Sequence, residues 1–173
     1  MAIAIRPVSA PRFAHCLSDL VKLLQDAVDA GASVGFLPPL ATEEAQEYWE
    51  GVATALDSGH TLLLVAEEDG KLLGTVQLHL ATKANGRHRA EVAKLLVHQR
   101  AQRQGIGRQL MQAVEHLARQ QQRTTLVLDT LQGASSELLY QGLGYVAAGN
   151  IPEYARCADG QLHATVVYYK LLH

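Results

Sequence analysis

Apolar positions along the chain switch between two rhythms, and the switches predict the elements. Alternation from Ala2 to Val8 predicts a short first strand, closed by Pro7 and Pro11. Phe13, Leu17, Leu20, Leu24 and Val28 then recur at helical spacing, and Gly31 ends that helix. The stretch from Gly31 to Pro39 reads as a loop stiffened by prolines. A second helix opens with Thr42 as its N-cap and Glu43 and Glu44 favoured in its first turn. Its apolar stripe is Ala45, Trp49, Val52 and Leu56, and Ser58-Gly59 closes it.

Thr61 to Glu67 and Lys71 to Leu80 are apolar runs joined by Glu68-Asp69-Gly70, which predicts an antiparallel hairpin. Asn85-Gly86 marks a further turn. Ala90 to Val97 is apolar on both faces, as a strand inside a sheet is. A polar, glycine-bearing loop leads into a helix whose stripe is Leu110, Met111, Val114, Leu117 and Ala118. Thr124 to Asp129 is a buried strand, Ala134 to Leu143 a short helix ended by Gly144, and Tyr145 to Ala148 the start of another strand. Val166 to Leu171 is the last strand, paired across a turn near Asp159-Gly160. Helices between strands after residue 90 imply parallel pairing there, and the hairpins imply antiparallel pairing elsewhere. No repeat, low-complexity stretch or Pro/Gly/Ser-rich linker interrupts 1–173, so a single α/β domain is expected.

Composition excludes several classes. Fifteen Lys and Arg against seventeen Asp and Glu give a net charge of −2, which speaks against a nucleic-acid binder with a broadly basic surface. No apolar run approaches the length of a membrane span, and the N-terminus lacks the basic-then-apolar order of a signal peptide, so a cytoplasmic protein is expected. Two cysteines are too few for a disulfide framework or a cysteine-based zinc site, and eight histidines stand without ligand spacing, so no metal is expected.

The near-neutral total hides two unlike regions. His98 to Arg123 holds five arginines and one acid, Glu115, a local +4. The second helix holds Glu43, Glu44, Glu47, Glu50 and Asp57 with no Lys or Arg, a local −5 that reads as a solvated face or an attraction for a cationic amine. Within the basic region, Gln102-Arg103-Gln104-Gly105-Ile106-Gly107-Arg108 joins a buried strand to an amphipathic helix. Glycines let a ligand approach the backbone closely, and the first helical N–H groups lack partners inside the helix, so this is an anion site suited to phosphate. It is neither a dinucleotide fingerprint, because Leu110 stands where a third glycine is required, nor a P-loop, because no Gly-Lys-Ser/Thr tract exists.

Val97-x4-Gln102-x2-Gly105-x-Gly107 resembles the acetyl-CoA motif of the GNAT N-acetyltransferase superfamily, and Tyr140-Gln-Gly-Leu-Gly-Tyr145 resembles that family's Tyr-x-x-Leu-Gly-Phe/Tyr segment. Gln102 stands where Arg is commoner and Arg103 replaces a frequent glycine. The resemblance spans essentially the whole chain. It implies a mixed, mostly antiparallel sheet with a central splayed parallel strand pair, flanked by about four helices. It also implies acetyl-CoA as cosubstrate, held by Gln102 to Arg108 and by the backbone of Leu95, Leu96 and Val97, with an N–H near Leu96 polarising the thioester carbonyl. Tyr140 is the implied acid for the departing thiolate, since a phenol stays protonated at neutral pH.

Glu91 and Asp129 are the candidate bases, being acids at the ends of otherwise apolar strands that are neighbours in this fold. The plainer alternatives are that Glu91 pairs with Arg89 or Lys94 and that Asp129 caps the helix near Gly133. Cys16 reads as core, and Cys157 as a remote candidate for carrying an acetyl group, with direct transfer preferred. On the acceptor side, Phe36, Tyr48, Trp49 and Tyr154 are candidate walls, with core packing the stronger reading for Trp49, and Arg156 or His163 is a candidate partner for a substrate carboxylate. Further tracts, among them Gly31-Ala-Ser-Val-Gly-Phe36, Arg89-Ala-Glu-Val92 and Leu128-Asp-Thr130, are similar to toxin-resistance members of the family that acetylate a β-lactam amino acid of the tabtoxinine type. The implied acceptor is a small amino-acid-like amine and the implied partner no macromolecule, with the chain a monomer or homodimer. A protein N-terminus or lysine, a polyamine or an aminoglycoside are alternative acceptors, and a non-catalytic acyl-CoA sensor is the alternative class.

Overall fold

A computed structural model describes residues 3–173; Ala2, the expected start of the first strand, lies outside them. The elements run β1 (Ala4–Pro7), α1 (Ala10–Asp29), α2 (Thr42–Asp57), β2 (Thr61–Glu68), β3 (Lys71–Leu80), β4 (Arg89–Val97), α3 (Ile106–Gln120), β5 (Thr125–Leu131), α4 (Ser136–Gln141), β6 (Val146–Arg156) and β7 (Leu162–Leu171). Short 3-10 turns at 84–86 and 99–101 flank β4. The order is the one the rhythm predicts. The strands form one seven-stranded sheet, β1-β2-β3-β4-β5-β7-β6. Its pairs are antiparallel except β4 with β5. This is the mixed sheet with four helices that the resemblance implies.

Two local expectations are corrected. Pro11 sits in the first turn of α1, where its missing N–H costs nothing, so it opens the helix and does not close the strand. Ala41 is the N-cap of α2, and Thr42 is already helical; its hydroxyl accepts from Gln25 Nε2 (3.2 Å), tying α2 to α1. The last hairpin is also longer than its seeds, because β6 reaches Arg156 before the turn at 157–160.

Each face of the sheet carries its own core. Val76, Leu78, Ala90, Val92, Leu126 and Leu128 meet Ile106, Leu110, Met111 and Val114 of α3. On the other face Leu63, Val65 and Leu96 meet α1 and α2 through Leu20, Leu24, Val28 and Trp49. Strand β4 contributes to both, and its register shows how. Thr75 pairs with Leu96 but Gln77 pairs with Ala93, so Lys94 and Leu95 together oppose Val76. That is a β-bulge, with Lys94 at φ 51°. One extra residue reverses the alternation: Ala90 and Val92 face α3 before the bulge, and Leu95 and Val97 face it afterwards. Gly74, opposite this region, has no room for a side chain, since a Cβ there would stand 2.8 Å from the Leu96 carbonyl oxygen.

Parallel pairing of β4 with β5 lasts only from Arg89–Thr125 to Glu91–Val127. Beyond it the strands diverge, leaving their backbone polar groups on that side without a strand partner. The gap opens a cleft between them.

Candidate active site

The cleft between the splayed strand ends has a volume of about 530 Å³. Glu91, Lys94 and Leu95 of β4, Asp129 of β5, Tyr140 of α4 and Thr165 of β7 all border it, and Gln102 stands at its mouth. Of the acids and bases expected from the sequence, Glu91, Asp129 and Tyr140 are therefore brought together.

Tyr140 is held by packing. Its ring lies 5.9 Å from that of Tyr145 and 6.1 Å from that of Tyr168. It is 7% exposed, and burial, with the Asp129 charge second, pushes its phenol up to about 12. Asp129 accepts a hydrogen bond from the Thr165 hydroxyl (2.7 Å), which fixes the carboxylate at the cleft wall. Its alternative role as a cap near Gly133 falls to Glu137, which accepts from the Gly133 amide at 2.7 Å. Glu91 makes no ion pair within 4 Å among the described residues, so the pairing with Arg89 or Lys94 is not formed.

The glycine loop leads from β4 to α3 as expected. Gln102, Arg103, Gln104 and Gly105 are exposed, with Arg103 at φ 62° and Gly105 at φ 81° as the helix cap. The first α3 amide bonded back to the cap is that of Gln109, to the Gly105 oxygen (3.1 Å). The amides of Ile106, Gly107 and Arg108 therefore face the loop without partners inside the helix, and they offer an anion three N–H groups. Gln102 Nε2 donates to the Val97 oxygen (3.2 Å) and Gln104 Nε2 to the Arg100 oxygen (3.2 Å), so both amides brace the loop. A Cβ at Gly107 would stand 3.4 Å from Leu139, so glycine lets α3 and α4 close on each other. These residues fit a pyrophosphate followed by an extended arm running into the cleft.

The structure restricts what some of these residues offer. Ile106 and Leu96 are buried, one on each face; Ile106 has only its backbone to offer a ligand, and the register turns the Leu96 backbone to Thr75 of β3, leaving Leu95 and Val97 on the open edge. Arg108 Nη1 lies 3.4 Å from the Gly142 oxygen, at the C-terminus of α4. The basic stretch is also less concentrated than its sequence suggests. Arg119 and Arg123 stand at the far end of a 15-residue helix, about 22 Å from the loop. Glu115 is spent on a buried ion pair with Lys170 (2.7 Å). Arg100, Arg103 and Arg108 are the arginines near the loop.

The acceptor-side expectations divide. Tyr154 borders the cleft. Phe36 and Tyr48 instead line a neighbouring groove of about 500 Å³ between α2 and β3, with Glu44, Glu47 and His79. Trp49 is 0% exposed and belongs to the core against α1, so it has no surface to present to an acceptor. His163 is bonded to Asp159 (2.7 Å) in the β6–β7 turn, and Arg156 to the Gly160 oxygen (2.6 Å); neither borders the cleft. Cys16 is buried in the core as read, and Cys157 lies outside the cleft in the same distal turn.

Sequence reasoning gave no role in the site to two residues, one beside the cleft and one on its wall. His79 stands across from Glu91 in register, its Nε2 2.8 Å from Gln77 Oε1. Gln77 Nε2 donates to the Tyr48 hydroxyl (2.9 Å), which leaves the amide oxygen as acceptor and assigns the ring proton to Nε2. Burial lowers the His79 pKa, so its Nδ1 is a neutral acceptor near the cleft. Gln77 and His79 alternate as polar positions on an apolar strand, and that was the available signal. Lys94 is the other: a lone cation within Val92-Ala-Lys-Leu-Leu-Val97. Among the described residues, no group of three or more His, Cys, Asp or Glu is disposed to hold a metal ion, and no helix is long and apolar enough to cross a membrane.

Comparison with known proteins adds the lineage. A family model described as Acetyltransferase (GNAT) family matches residues 28–145, which include the glycine loop and Tyr140 to Tyr145. An uncharacterized N-acetyltransferase from the hisH–hisA intergenic region of Azospirillum brasilense is 34% identical over 115 residues, covering 65% of this chain and 67% of that one. An N-acetyltransferase from Staphylococcus aureus Mu50 has the same fold with a TM-score of 0.83 at 20% identity, over 100% of both chains. The yncA structure from Salmonella typhimurium, solved with its cofactor acetyl-CoA, superposes with a TM-score of 0.81 at 20% identity, over 100% of this chain and 95% of that one.

Proposed function

The chain belongs to the GNAT acetyltransferase family and is an acetyl-CoA-dependent acetyltransferase, and from that premise we propose that it acetylates the amine of a small amino-acid-like acceptor by direct attack. The observation that carries this reading is the convergence of Glu91, Asp129 and a buried phenol, Tyr140, on the gap between β4 and β5. A protein that only sensed acyl-CoA has no use for two carboxylates and a phenol at that point.

Acetyl-CoA supplies the acyl group activated as a thioester. The α3 N-terminus, with Arg103 and Arg108 beside it, binds the pyrophosphate, and Gln102 and Gln104 hold the loop in shape. The diverging edge of β4 offers backbone groups of Leu95 and Val97 to the extended arm, while those of Leu96 pair with Thr75 of β3, and a backbone N–H near Leu96 on the open edge donates to the carbonyl oxygen. Glu91 and Asp129 attract the acceptor ammonium and take a proton from it, directly or through water. Tyr140 donates a hydrogen bond to the sulfur as negative charge develops there.

The cleft is small and closed on one side by the loop at 31–35, which favours a small acceptor over a folded protein surface. The tabtoxinine-type β-lactam amino acid is one member of that class, and it rests on the similarity of short tracts. Acetyl-CoA is an intracellular metabolite, so the reading places the enzyme in the cytoplasm. The test is release of free CoA thiol from acetyl-CoA across a panel of amino acids, tabtoxinine-β-lactam, polyamines, aminoglycosides and N-terminal peptides. Turnover with amino acids is expected; acetyl-CoA binding with no thiol release from any amine overturns the reading in favour of a sensor.

A further inference from the structure

Among the described residues, Lys94 is the one cation that borders the cleft. Its ammonium has no ion pair within 4 Å and no hydrogen bond among the described residues. It lies 5.5 Å from the centre of the Tyr48 ring and beside Gly35, where a Cβ would stand 3.6 Å from Nζ. Burial, the largest influence, lowers its pKa, and the charges of Glu91 and Asp129 work in the opposite direction. The side chain is aimed by the bulge. A lysine held at φ 51° is strained, and without that bulge residue 94 would follow the alternation of Val92 toward α3. A half-buried charge with no ion pair, resting against a ring face on a strained backbone, is costly, and native structures pair such charges. The missing partner is an anion.

We propose that Lys94 receives the carboxylate of the acceptor, so that the enzyme selects zwitterionic amino acids over amines that lack a free carboxylate. This rests on the acetyltransferase reading above and narrows its substrate class. Glu91 and Asp129 stand ready for an ammonium, and Lys94 for a carboxylate, within one cleft. The charges are of opposite sign, Lys94 and Glu91 on β4 and Asp129 on β5, complementary to the two ends of an amino acid. Polyamines and aminoglycosides meet the same lysine as a like charge, and a peptide N-terminus offers it only a neutral carbonyl. Arg156 and His163 are bonded within their own turn and do not compete for this role.

The test compares each L-amino acid with its carboxamide in the thiol-release assay, for the wild type, K94M and K94R. In the wild type the acid is expected to have a KM at least 10-fold below that of the amide. K94M is expected to raise KM for the acid 10- to 100-fold, leave kcat and the amide's KM within about threefold, and so abolish the discrimination, while K94R restores part of it. A purely structural role moves acid and amide together. A second readout needs no turnover: acylation of Lys94 by acetic anhydride, followed by mass spectrometry, is expected to be slowed by the amino acids and not by their amides. Equal wild-type use of acid and amide, or equal loss of both in K94M, overturns the assignment while leaving the acetyltransferase reading intact. Absence of thiol release with every acceptor overturns that reading, and absence of protection as well overturns the Lys94 site itself.

Discussion

Tyr140→Phe removes one oxygen from the cleft and leaves the ring where it is. The ring is fixed between Tyr145 and Tyr168, and the phenol makes no hydrogen bond to another side chain among the described residues, so the fold loses little. What is lost is a donor toward the sulfur. With the phenol near 12 and a thiol near 8.5, complete proton transfer runs uphill by about 3.5 units, or roughly 5 kcal/mol. A hydrogen bond to the developing thiolate is the more economical contribution, worth about 1.5–3 kcal/mol for a charged acceptor. Expressed as rate, that is a fall in kcat of about 10- to 150-fold, below the 10⁴-fold a fully matched acid reaches. The assay is kcat at saturating acetyl-CoA and acceptor, beside the acetyl-CoA Kd by calorimetry and the Tm. The Kd is expected to change less than threefold and the Tm by less than 2 °C. A kcat within twofold of wild type, or a loss of affinity equal to the loss of rate, refutes the role.

Three further outcomes follow from the same geometry. Glu91→Gln and Asp129→Asn keep their shapes, and Asp129→Asn keeps an acceptor for Thr165; whichever residue is the base loses the acidic limb of its pH–rate profile, and unchanged profiles in both hand the role to water or His79. Gly74→Ala forces a Cβ to within 2.8 Å of the Leu96 oxygen, so a loss of about 1–3 kcal/mol and a raised acetyl-CoA KM are expected. Gly51→Ala, helical with open space around it, is expected to gain up to about 1 kcal/mol; denaturant melts read both, and matching signs contradict the packing argument. Alkaline unfolding is the third outcome. Burial raises Tyr48 and Tyr140 to about 12, so their share of stability is whole below pH 10 and is lost as pH rises toward 12. Melts across that window are expected to show a steeper decline in the wild type than in Tyr48→Phe/Tyr140→Phe.

The chain's own pattern determined the order of elements, because period two and period 3.6 are properties of short segments that no distant contact needs to supply. It also determined the loop at Gln102 to Arg108 and the segment at Tyr140, since glycine placement and helix starts are local. Three things were decided only in three dimensions. The bulge at Lys94 is one: a single residue reverses which face each side chain meets, and nothing in Val92-Ala-Lys-Leu-Leu-Val97 marks the reversal. The distribution of charge is another, because a +4 stretch wound into a helix places Arg119 and Arg123 about 22 Å from the loop they adjoin in sequence. Burial is the last. Trp49 stands on an apolar stripe that foretells its place in the core, but nothing along the chain marks Tyr154, 53% exposed, as part of the cleft wall. Which surfaces remain open depends on how four helices and seven strands exclude water together, and that is a property of the packed whole.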